Sequence, residues 1–166
     1  MKNDEHILGA IKDASSWLIE GKKPGLLLYG GIGNGKTTLA NAICMYINQL
    51  RDYSEPGVYR TTAIIVSRKS MNDETSKYLE ELKTKEMVCL DDLGIEPQTV
   101  KCYGNDIYPL TEWIYARYEH PLFTLVTTNL NMEQLSERYG SRIADRMEEY
   151  FNKIPFTNAT YRKKTK

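Results

Sequence analysis

The sequence predicts an α/β protein in which a parallel β-sheet carries helices on both of its faces. Short apolar or β-branched runs, typical of buried strands, alternate along the chain with segments of helical periodicity. A glycine-rich turn joins the first such run, residues 25–29, to the helix that follows it. Because ligands bind at the carboxyl ends of the strands in such sheets, this turn marks the first candidate site.

Six helices are predicted from apolar residues at three- and four-residue spacing and from capping signals. Asn3 or Asp4 can cap the first helix. Pro109 fits the first turn of the fourth, and Asn131, with a glutamine three residues later, resembles a capping box at the start of the fifth. Gly140 separates the last two helices. The predicted helices run from the Asn3 or Asp4 cap to residue 20 and over about 36–50, 75–82, 109–119, 131–139 and 141–151.

Five strands are predicted from runs of apolar and β-branched residues. The run over 87–90 is continuously apolar, as expected for a strand buried on both faces. The polar residues 94–105 are predicted to form a loop. The predicted strands cover about 25–29, 61–67, 87–90, 123–128 and 153–156. The glycine-rich turn, the pair Asp91–Asp92 and Asn129 each follow a strand, so we expect them to meet in one crevice.

The glycine-rich turn matches the spacing G-x-x-x-x-G-K-[ST] of a phosphate-binding loop, or P-loop. Glycines let backbone N–H groups approach a triphosphate, and the helix that follows directs its positive end at the same phosphates. Lys36 is expected to reach the β- and γ-phosphates of ATP, and the Thr37 hydroxyl to ligate Mg²⁺. The alternative is a turn without a ligand. The residues predicted to hold ATP are Gly30, Gly31, Ile32, Gly33, Asn34, Gly35, Lys36, Thr37 and Thr38.

Three polar residues at other strand ends complete a hydrolytic site. Asp91 can hold Mg²⁺ opposite Thr37, directly or through water, and Asp92 can orient or deprotonate the attacking water. Asn129 can donate its amide to the γ-phosphate or to that water. Alternatively, Asp91 caps the next turn, Asp92 is a solvated loop acid and Asn129 is an ordinary turn residue.

Two arginines on the last predicted helix, Arg142 and Arg146, are four residues apart and share one face. Arg142 is the candidate arginine finger for a neighbouring subunit's ATP, and Arg146 the weaker one; local pairing with Asp145 and Glu149 is the alternative. Basic residues elsewhere are expected to be solvated. The alternative is that they contact the phosphate backbone of a nucleic acid. They are Arg68 and Lys69 after the second strand, and the tail from residue 161 to residue 166.

Composition narrows the function classes. The 166 residues hold 22 basic and 22 acidic side chains, so a net charge of zero argues against strong non-specific DNA binding. Three widely spaced cysteines without a C-x-x-C pair are typical of a reduced cytosolic protein. Neither histidine has neighbours at metal-ligand spacing. With no apolar run near 18 residues and no signal-peptide pattern, we expect a cytoplasmic protein without membrane contact.

Four stretches resemble the AAA+ ATPases of the DnaC/IstB group, which contains bacterial and phage helicase loaders and transposition helper ATPases. They are the P-loop region 25–38, Val-Cys-Leu-Asp-Asp-Leu-Gly at 88–94, Thr-Thr-Asn-Leu at 127–130 and Tyr-Gly-Ser-Arg-Ile-Ala-Asp-Arg-Met at 139–147. The last stretch is the most specific. The resemblance covers about residues 20–162 and implies Walker A at Lys36 and Thr37, Walker B at Asp91 and Asp92, sensor 1 at Asn129 and the arginine finger at Arg142.

The resemblance also implies one AAA+ core over residues 1–166. Its parts would be an N-terminal helix and linker (1–22), the P-loop core (23–156) and a basic tail (157–166). An N-terminal helicase-binding segment has no room before the P-loop, so it is absent or the chain is a core fragment. The short segment before Walker B makes single-stranded DNA binding weak, and no helical lid or lid arginine is expected. Residues 7–18 are candidates for packing near the adenine by family position.

The function that the resemblance implies is a DNA-replication ATPase of the helicase-loader type. ATP would drive self-association into a homo-oligomer, and a replicative helicase would be the client. A transposition helper with a transposase as client uses the same site. A P-loop kinase would need an acceptor pocket and an arginine-bearing lid, and neither is found in the sequence. A non-hydrolysing ATP-binding adaptor also stays open, because Asp92 stands where a glutamate is more usual.

Overall fold

The computed structural model describes residues 2–52, 54–71 and 73–161. Seven helices occur in this part of the chain: α1 Lys2–Glu20, α2 Lys36–Leu50, α3 Ala63–Lys69, α4 Asp73–Thr84, α5 Pro109–Glu119, α6 Met132–Tyr139 and α7 Ser141–Tyr150. Its strands are β1 Gly25–Gly30, β2 Tyr59–Thr62, β3 Met87–Leu93, β4 Val100–Cys102, β5 Asn105–Ile107, β6 Phe123–Thr128 and β7 Phe151–Phe156. None of these helices is both long and apolar enough to span a lipid bilayer.

Five strands form one parallel sheet in the order β2-β3-β6-β1-β7. Alternate residues of the central strand β1 face opposite cores. Leu27 packs with residues of α3 to α7, whereas Leu26 and Leu28 pack with α1 and α2. The predicted α/β architecture with helices on both faces is therefore confirmed. Since all five strands are parallel, the turns after β1, β3 and β6 emerge at the same edge.

The predicted strand over residues 61–67 is wrong for most of its length. β2 ends at Thr62, whose hydroxyl accepts a hydrogen bond from the Ile65 amide at 3.3 Å and caps α3. Ala63, Val66 and Ser67 recur at helical spacing and are buried by the core. Tertiary packing overrides the local β-propensity of the branched residues. Arg68 and Lys69 consequently lie in the last turn of a helix and not in a loop.

Two other expectations about element bounds need correction. The predicted loop over 94–105 contains β4, and β4 pairs with β5 in an antiparallel hairpin around Tyr103 and Gly104, both with positive φ. Helix α1 already includes Asn3 and Asp4, so neither residue stands at the cap position. The other predicted strands and helices are present, and the Asn131 capping box is confirmed.

Candidate nucleotide-binding site

The P-loop runs from the end of β1 to the start of α2 and is closely packed against the end of β7. Gly30 has a φ of +126°, and a Cβ there would lie 2.3 Å from the backbone oxygen of Phe156. The buried Asn34 side chain donates a hydrogen bond to the same oxygen at 2.8 Å. Gly35 has a φ of +106° and stands immediately before the first residue of α2. The loop therefore requires glycine at these two places for steric and conformational reasons.

Lys36 is folded into the loop that it follows and is only 5% exposed. Its Nζ donates to the backbone oxygens of Gly30 at 2.9 Å and Gly31 at 2.6 Å. It also donates to Oδ1 of Asn34 at 3.2 Å and to Oδ1 of Asn129 at 2.9 Å. Burial lowers the pKa of Lys36, although the carboxylates of Asp92 and Asp91 oppose that shift. The ammonium group thus lies where the P-loop and the end of β6 converge.

A chain of hydroxyl and carboxylate groups joins α2, β3 and β6. Thr37 Oγ1 donates to Asp91 Oδ1 at 3.0 Å, and Thr127 Oγ1 donates to the same oxygen at 2.5 Å. Thr127 Oγ1 in turn accepts a hydrogen bond from the Asp92 amide at 3.0 Å. Thr127 therefore contacts both predicted Walker B residues, Asp91 through its carboxylate and Asp92 through its backbone amide, and the sequence analysis did not identify it. Its position on β6, directly before Thr128 and Asn129, is the signal that was available.

The Asp91–Asp92 pair lies on an irregularity of β3. The register with β6 shifts between Leu90 and Leu93, and Asp92 has a φ of +58°. The strand was predicted to end at Leu90, whereas it continues to Leu93 through this bulge. Bulges redirect side chains at the ends of sheets, and a non-glycine residue at positive φ stores backbone strain. The bulge accounts for two successive carboxylates near the same crevice.

The crevice opens into a cavity of about 870 Å³ with a polar end and an apolar end. The polar end is lined by P-loop residues 33–38 together with Asp92 and Asn129. The apolar end is formed by Ile7, Leu8, Ile11, Ile32 and Tyr161. Three residues from the predicted adenine segment 7–18 are thus in the lining, all from its first half. Cavities of this size and mixed polarity are typical of small-molecule sites.

The chain after β7 crosses the P-loop and contributes Tyr161 to the cavity. The Tyr161 amide donates to the Gly33 oxygen at 2.8 Å, and Asn158 Nδ2 donates to the Asn34 oxygen at 3.1 Å. Thr160 Oγ1 donates to the Gly33 oxygen at 3.3 Å. Asn158, Thr160 and Tyr161 therefore contact the P-loop, whereas Tyr161 was predicted to belong to a solvated tail. Residues 162–166 lie outside the described residues.

The two candidate finger arginines have different environments on α7. Arg142 lies in its first turn, is exposed and does not line the cavity of its own subunit. The guanidinium carbon of Arg146 lies 4.0 Å from the ring centre of Tyr115, and its Nη2 lies 3.9 Å from Glu119. Arg146 therefore packs against α5 instead of pairing with Glu149.

The oxygens of Thr37 and Asp91 suit a magnesium ion bound together with a triphosphate. Hydroxyl and carboxylate oxygens are the hard ligands that Mg²⁺ prefers, and the rest of its coordination usually comes from water and phosphate. Within the described residues, no group of three or more His, Cys, Asp or Glu could hold a metal by itself. The donor set fits an ion that arrives with the nucleotide.

A match to a family of known proteins covers almost the whole chain. A family model described as "IstB-like ATP binding protein" matches residues 8–166. No curated protein sequence matches the chain.

Solved structures share the fold. A crystal structure of DnaI superposes with a TM-score of 0.70 at 23% identity, covering 92% of this chain and 85% of DnaI. The DnaC helicase loader gives 0.61 at 24% identity, covering 80% of this chain and 78% of the other. DnaA from Aquifex aeolicus, bound to AMPPCP, superposes with a TM-score of 0.53 at 18% identity, and the match covers 78% of this chain and 39% of DnaA.

Proposed function

Because the chain belongs to the family of IstB-like ATP-binding proteins, we propose that it is a Mg²⁺-dependent ATPase of the helicase-loader type. ATP binding promotes self-association, and Arg142 of one subunit completes the site of the next. The observation that carries the proposal is the convergence of Lys36, Thr37, Asp91 and Asn129 in one hydrogen-bonded crevice. The fold shared with DnaI and with the DnaC helicase loader supports the loader assignment.

The residues of the crevice have distinct roles in this proposal. The Lys36 ammonium exchanges its contacts with backbone oxygens for the β- and γ-phosphates, since charge-assisted bonds to phosphate are stronger. Asn129, which contacts Lys36 at 2.9 Å, donates its amide to the γ-phosphate or the attacking water. Asp92 orients that water and accepts its proton as the water oxygen bonds to the γ-phosphorus and the bond to the β,γ-bridging oxygen breaks.

Thr37 and Asp91 would hold the metal ion. Bound Mg²⁺ would neutralise charge on the phosphates and lower the barrier for attack at phosphorus. The protein's own contribution is to fix the two oxygens 3.0 Å apart through Thr127. The apolar end of the cavity, with Ile7, Ile11 and Tyr161, accommodates the base.

Hydrolysis of Mg²⁺-ATP by the purified chain, measured as phosphate release, tests the enzymatic part of the proposal. We expect turnover by the wild type and none above background for Lys36→Ala. A wild-type chain that binds ATP but shows no turnover, with or without DNA, would establish the adaptor alternative. Transfer of phosphate to a small hydroxyl compound in place of water would establish the kinase alternative.

The client requires a separate experiment. The tagged chain is incubated with a native lysate in the presence of ATP, and the retained proteins are identified by mass spectrometry. The loader proposal predicts retention of a replicative helicase by the wild type and not by Lys36→Ala. Retention of a transposase would show that the chain is a transposition helper instead.

A further inference from the structure

Glu96 is a buried acidic residue for which the hydrolytic site gives no role. Its side chain is 1% exposed. One carboxylate oxygen accepts a hydrogen bond from the Gly94 amide at 2.8 Å. The other accepts from the Tyr139 hydroxyl and lies 3.4 Å from Arg138 Nη2. A buried charge is retained at a cost in desolvation, so this arrangement calls for a reason beyond packing.

On one side, Glu96 is attached to the turn that carries the predicted Walker B residues. Gly94 lies two residues after Asp92 and has a φ of +104°. A Cβ at Gly94 would lie 2.5 Å from Leu130 Cδ1, and Leu130 directly follows Asn129. The Leu93 oxygen accepts from Thr128 Oγ1 at 2.6 Å. The turn that Glu96 holds therefore continues directly from Asp92 at the end of β3 and packs against the end of β6 beside Asn129.

On the other side, Glu96 is attached to the junction between α6 and α7. Arg138 and Tyr139 are the last two residues of α6, and Gly140 turns the chain into α7 with a φ of +90°. Arg142 follows two residues later in the first turn of α7. Two hydrogen bonds to backbone oxygens form a second connection between the same segments. Arg138 Nη2 donates to the backbone oxygen of Glu96, and Gln98 Nε2 donates to the backbone oxygen of Arg138.

The donors around Glu96 are suited to a carboxylate. Burial and the neighbouring Glu96 charge raise the pKa of Tyr139, so the tyrosine hydroxyl remains protonated and donates. Arg138 supplies a positive charge, and its guanidinium carbon lies 5.6 Å from the Tyr139 ring centre. Three donors from two segments thus converge on one carboxylate.

We propose that Glu96 is a positioning residue that couples a subunit's own Asp92 turn to the Arg142 junction it presents to its neighbour. Glu96 thereby fixes the start of α7 relative to the Asp92–Gly94 turn. The inference rests on the proposed function, because it requires Arg142 to act in a neighbouring site.

Mixed subunits separate this role from ordinary structural support. Arg142→Ala subunits keep an intact nucleotide pocket, and Lys36→Ala subunits keep an intact finger. Neither hydrolyses ATP alone, and the mixture regains turnover where an intact pocket faces an intact finger. Glu96→Gln is then added either to the Lys36→Ala finger donor or to the Arg142→Ala pocket donor.

We expect Glu96→Gln in the finger donor to lower the turnover of the mixture about tenfold or more, because sub-ångström misplacement of a positioned group is costly. In the pocket donor the loss should be within about threefold. Tyr139→Phe in the finger donor, which keeps the ring but removes one hydrogen bond to Glu96, should give an intermediate loss. Glu137 is an exposed acid on α6, the helix that carries Tyr139. Glu137→Gln is therefore the matched control and should leave turnover unchanged.

Thermal unfolding of each variant shows whether it is folded. If Glu96→Gln does not fold, the Tyr139→Phe arm decides the question alone. Equal losses in the two arms, or no loss in the finger-donor arm, would overturn the positioning role while leaving the ATPase proposal intact. Failure of the parent mixture to regain turnover would overturn the finger in trans, and the role of Glu96 with it.

Discussion

The crevice at the sheet edge and the α6–α7 junction each contribute one cation to the proposed site. The two cations differ in burial and in hydrogen bonding. Lys36 is 5% exposed and donates to four oxygens within its own subunit. Arg142 is exposed, and no hydrogen bond or ion pair joins it to the described residues. Arg146, one turn along α7, differs from Arg142 because it stacks on Tyr115 and pairs with Glu119 of its own subunit.

This difference indicates which part of the site a single chain completes. The phosphate-binding half is assembled and internally hydrogen-bonded, so nucleotide binding should need one subunit. Within the described residues Arg142 has no hydrogen-bond or ion-pair acceptor, so its contribution should depend on a neighbour. Substitution of Lys36 should therefore act mainly on ATP affinity, and substitution of Arg142 on turnover.

The largest effect is expected for Arg142→Ala. An arginine finger contributes about 10³-fold or more to phosphoryl transfer, so turnover should fall by about that factor, with ATP affinity within about threefold of the wild type. Phosphate release and equilibrium titration with ATP measure the two quantities. Arg146→Ala is the matched control one turn along α7. It should lower the unfolding free energy by about 0.5–1 kcal/mol through the lost cation–π contact and keep most of the turnover.

Lys36→Ala should act on affinity instead. Loss of a charged partner that is desolvated against phosphate costs about 2–5 kcal/mol, so the dissociation constant for ATP should rise about 30-fold or more. Calorimetric titration provides the measurement, and Lys12→Ala on the exposed side of α1 is the control. ATP binding of normal strength by Lys36→Ala would remove the basis for assigning phosphate binding to this loop.

Thr127→Val tests whether orientation of the carboxylates matters separately from their presence. The substitution preserves shape but removes the hydroxyl that donates to Asp91 and accepts from the Asp92 amide. Turnover should fall about tenfold, and the unpaired amide should cost about 1–3 kcal/mol of stability. Steady-state kinetics and denaturant unfolding measure the two effects. Thr111→Val on α5 should change neither, and unaltered turnover in Thr127→Val would show that Asp91 and Asp92 need no such support.

The smallest effect concerns Tyr161, which bounds the apolar end of the cavity at 45% exposure. Loss of a partly exposed aromatic contact costs about 1 kcal/mol, so Tyr161→Ala should raise the dissociation constant for ATP about fivefold. Inorganic triphosphate, which lacks a base, should bind as to the wild type. Tyr46→Ala, an exposed tyrosine of α2 outside the cavity, is the control. An equal loss for triphosphate would mean that the residues after β7 support the P-loop and do not contact the base.

Most elements of the sheet were predictable because glycines, prolines and apolar runs are local signals. Residues 61–67 were not, because their β-branched content favours a strand while the burial of Ala63 and Val66 selects a helix. Thr62 as an N-cap was the competing local signal. The strand order β2-β3-β6-β1-β7 depends on long-range pairing, which periodicity does not encode.

The same division applies to the site. The P-loop, Asp91, Asp92 and Asn129 could be predicted to lie close together because each follows a recognisable strand. Thr127 and Glu96 were not found, since each acts through partners 35 to 43 positions away in the sequence. Nothing near Glu96 in the sequence indicates that its carboxylate is buried. Such residues become visible only when the partner segments are brought together by the fold.

The dependence of turnover on protein concentration tests the trans arrangement most directly. Phosphate release per subunit is measured at saturating Mg²⁺-ATP over a dilution series of the wild type and of Arg142→Ala. The account predicts that wild-type turnover per subunit rises with concentration to a plateau as neighbours supply Arg142, while the variant remains low throughout. Wild-type turnover that is independent of concentration and persists in a monomer would contradict it, because each subunit would then hydrolyse ATP alone.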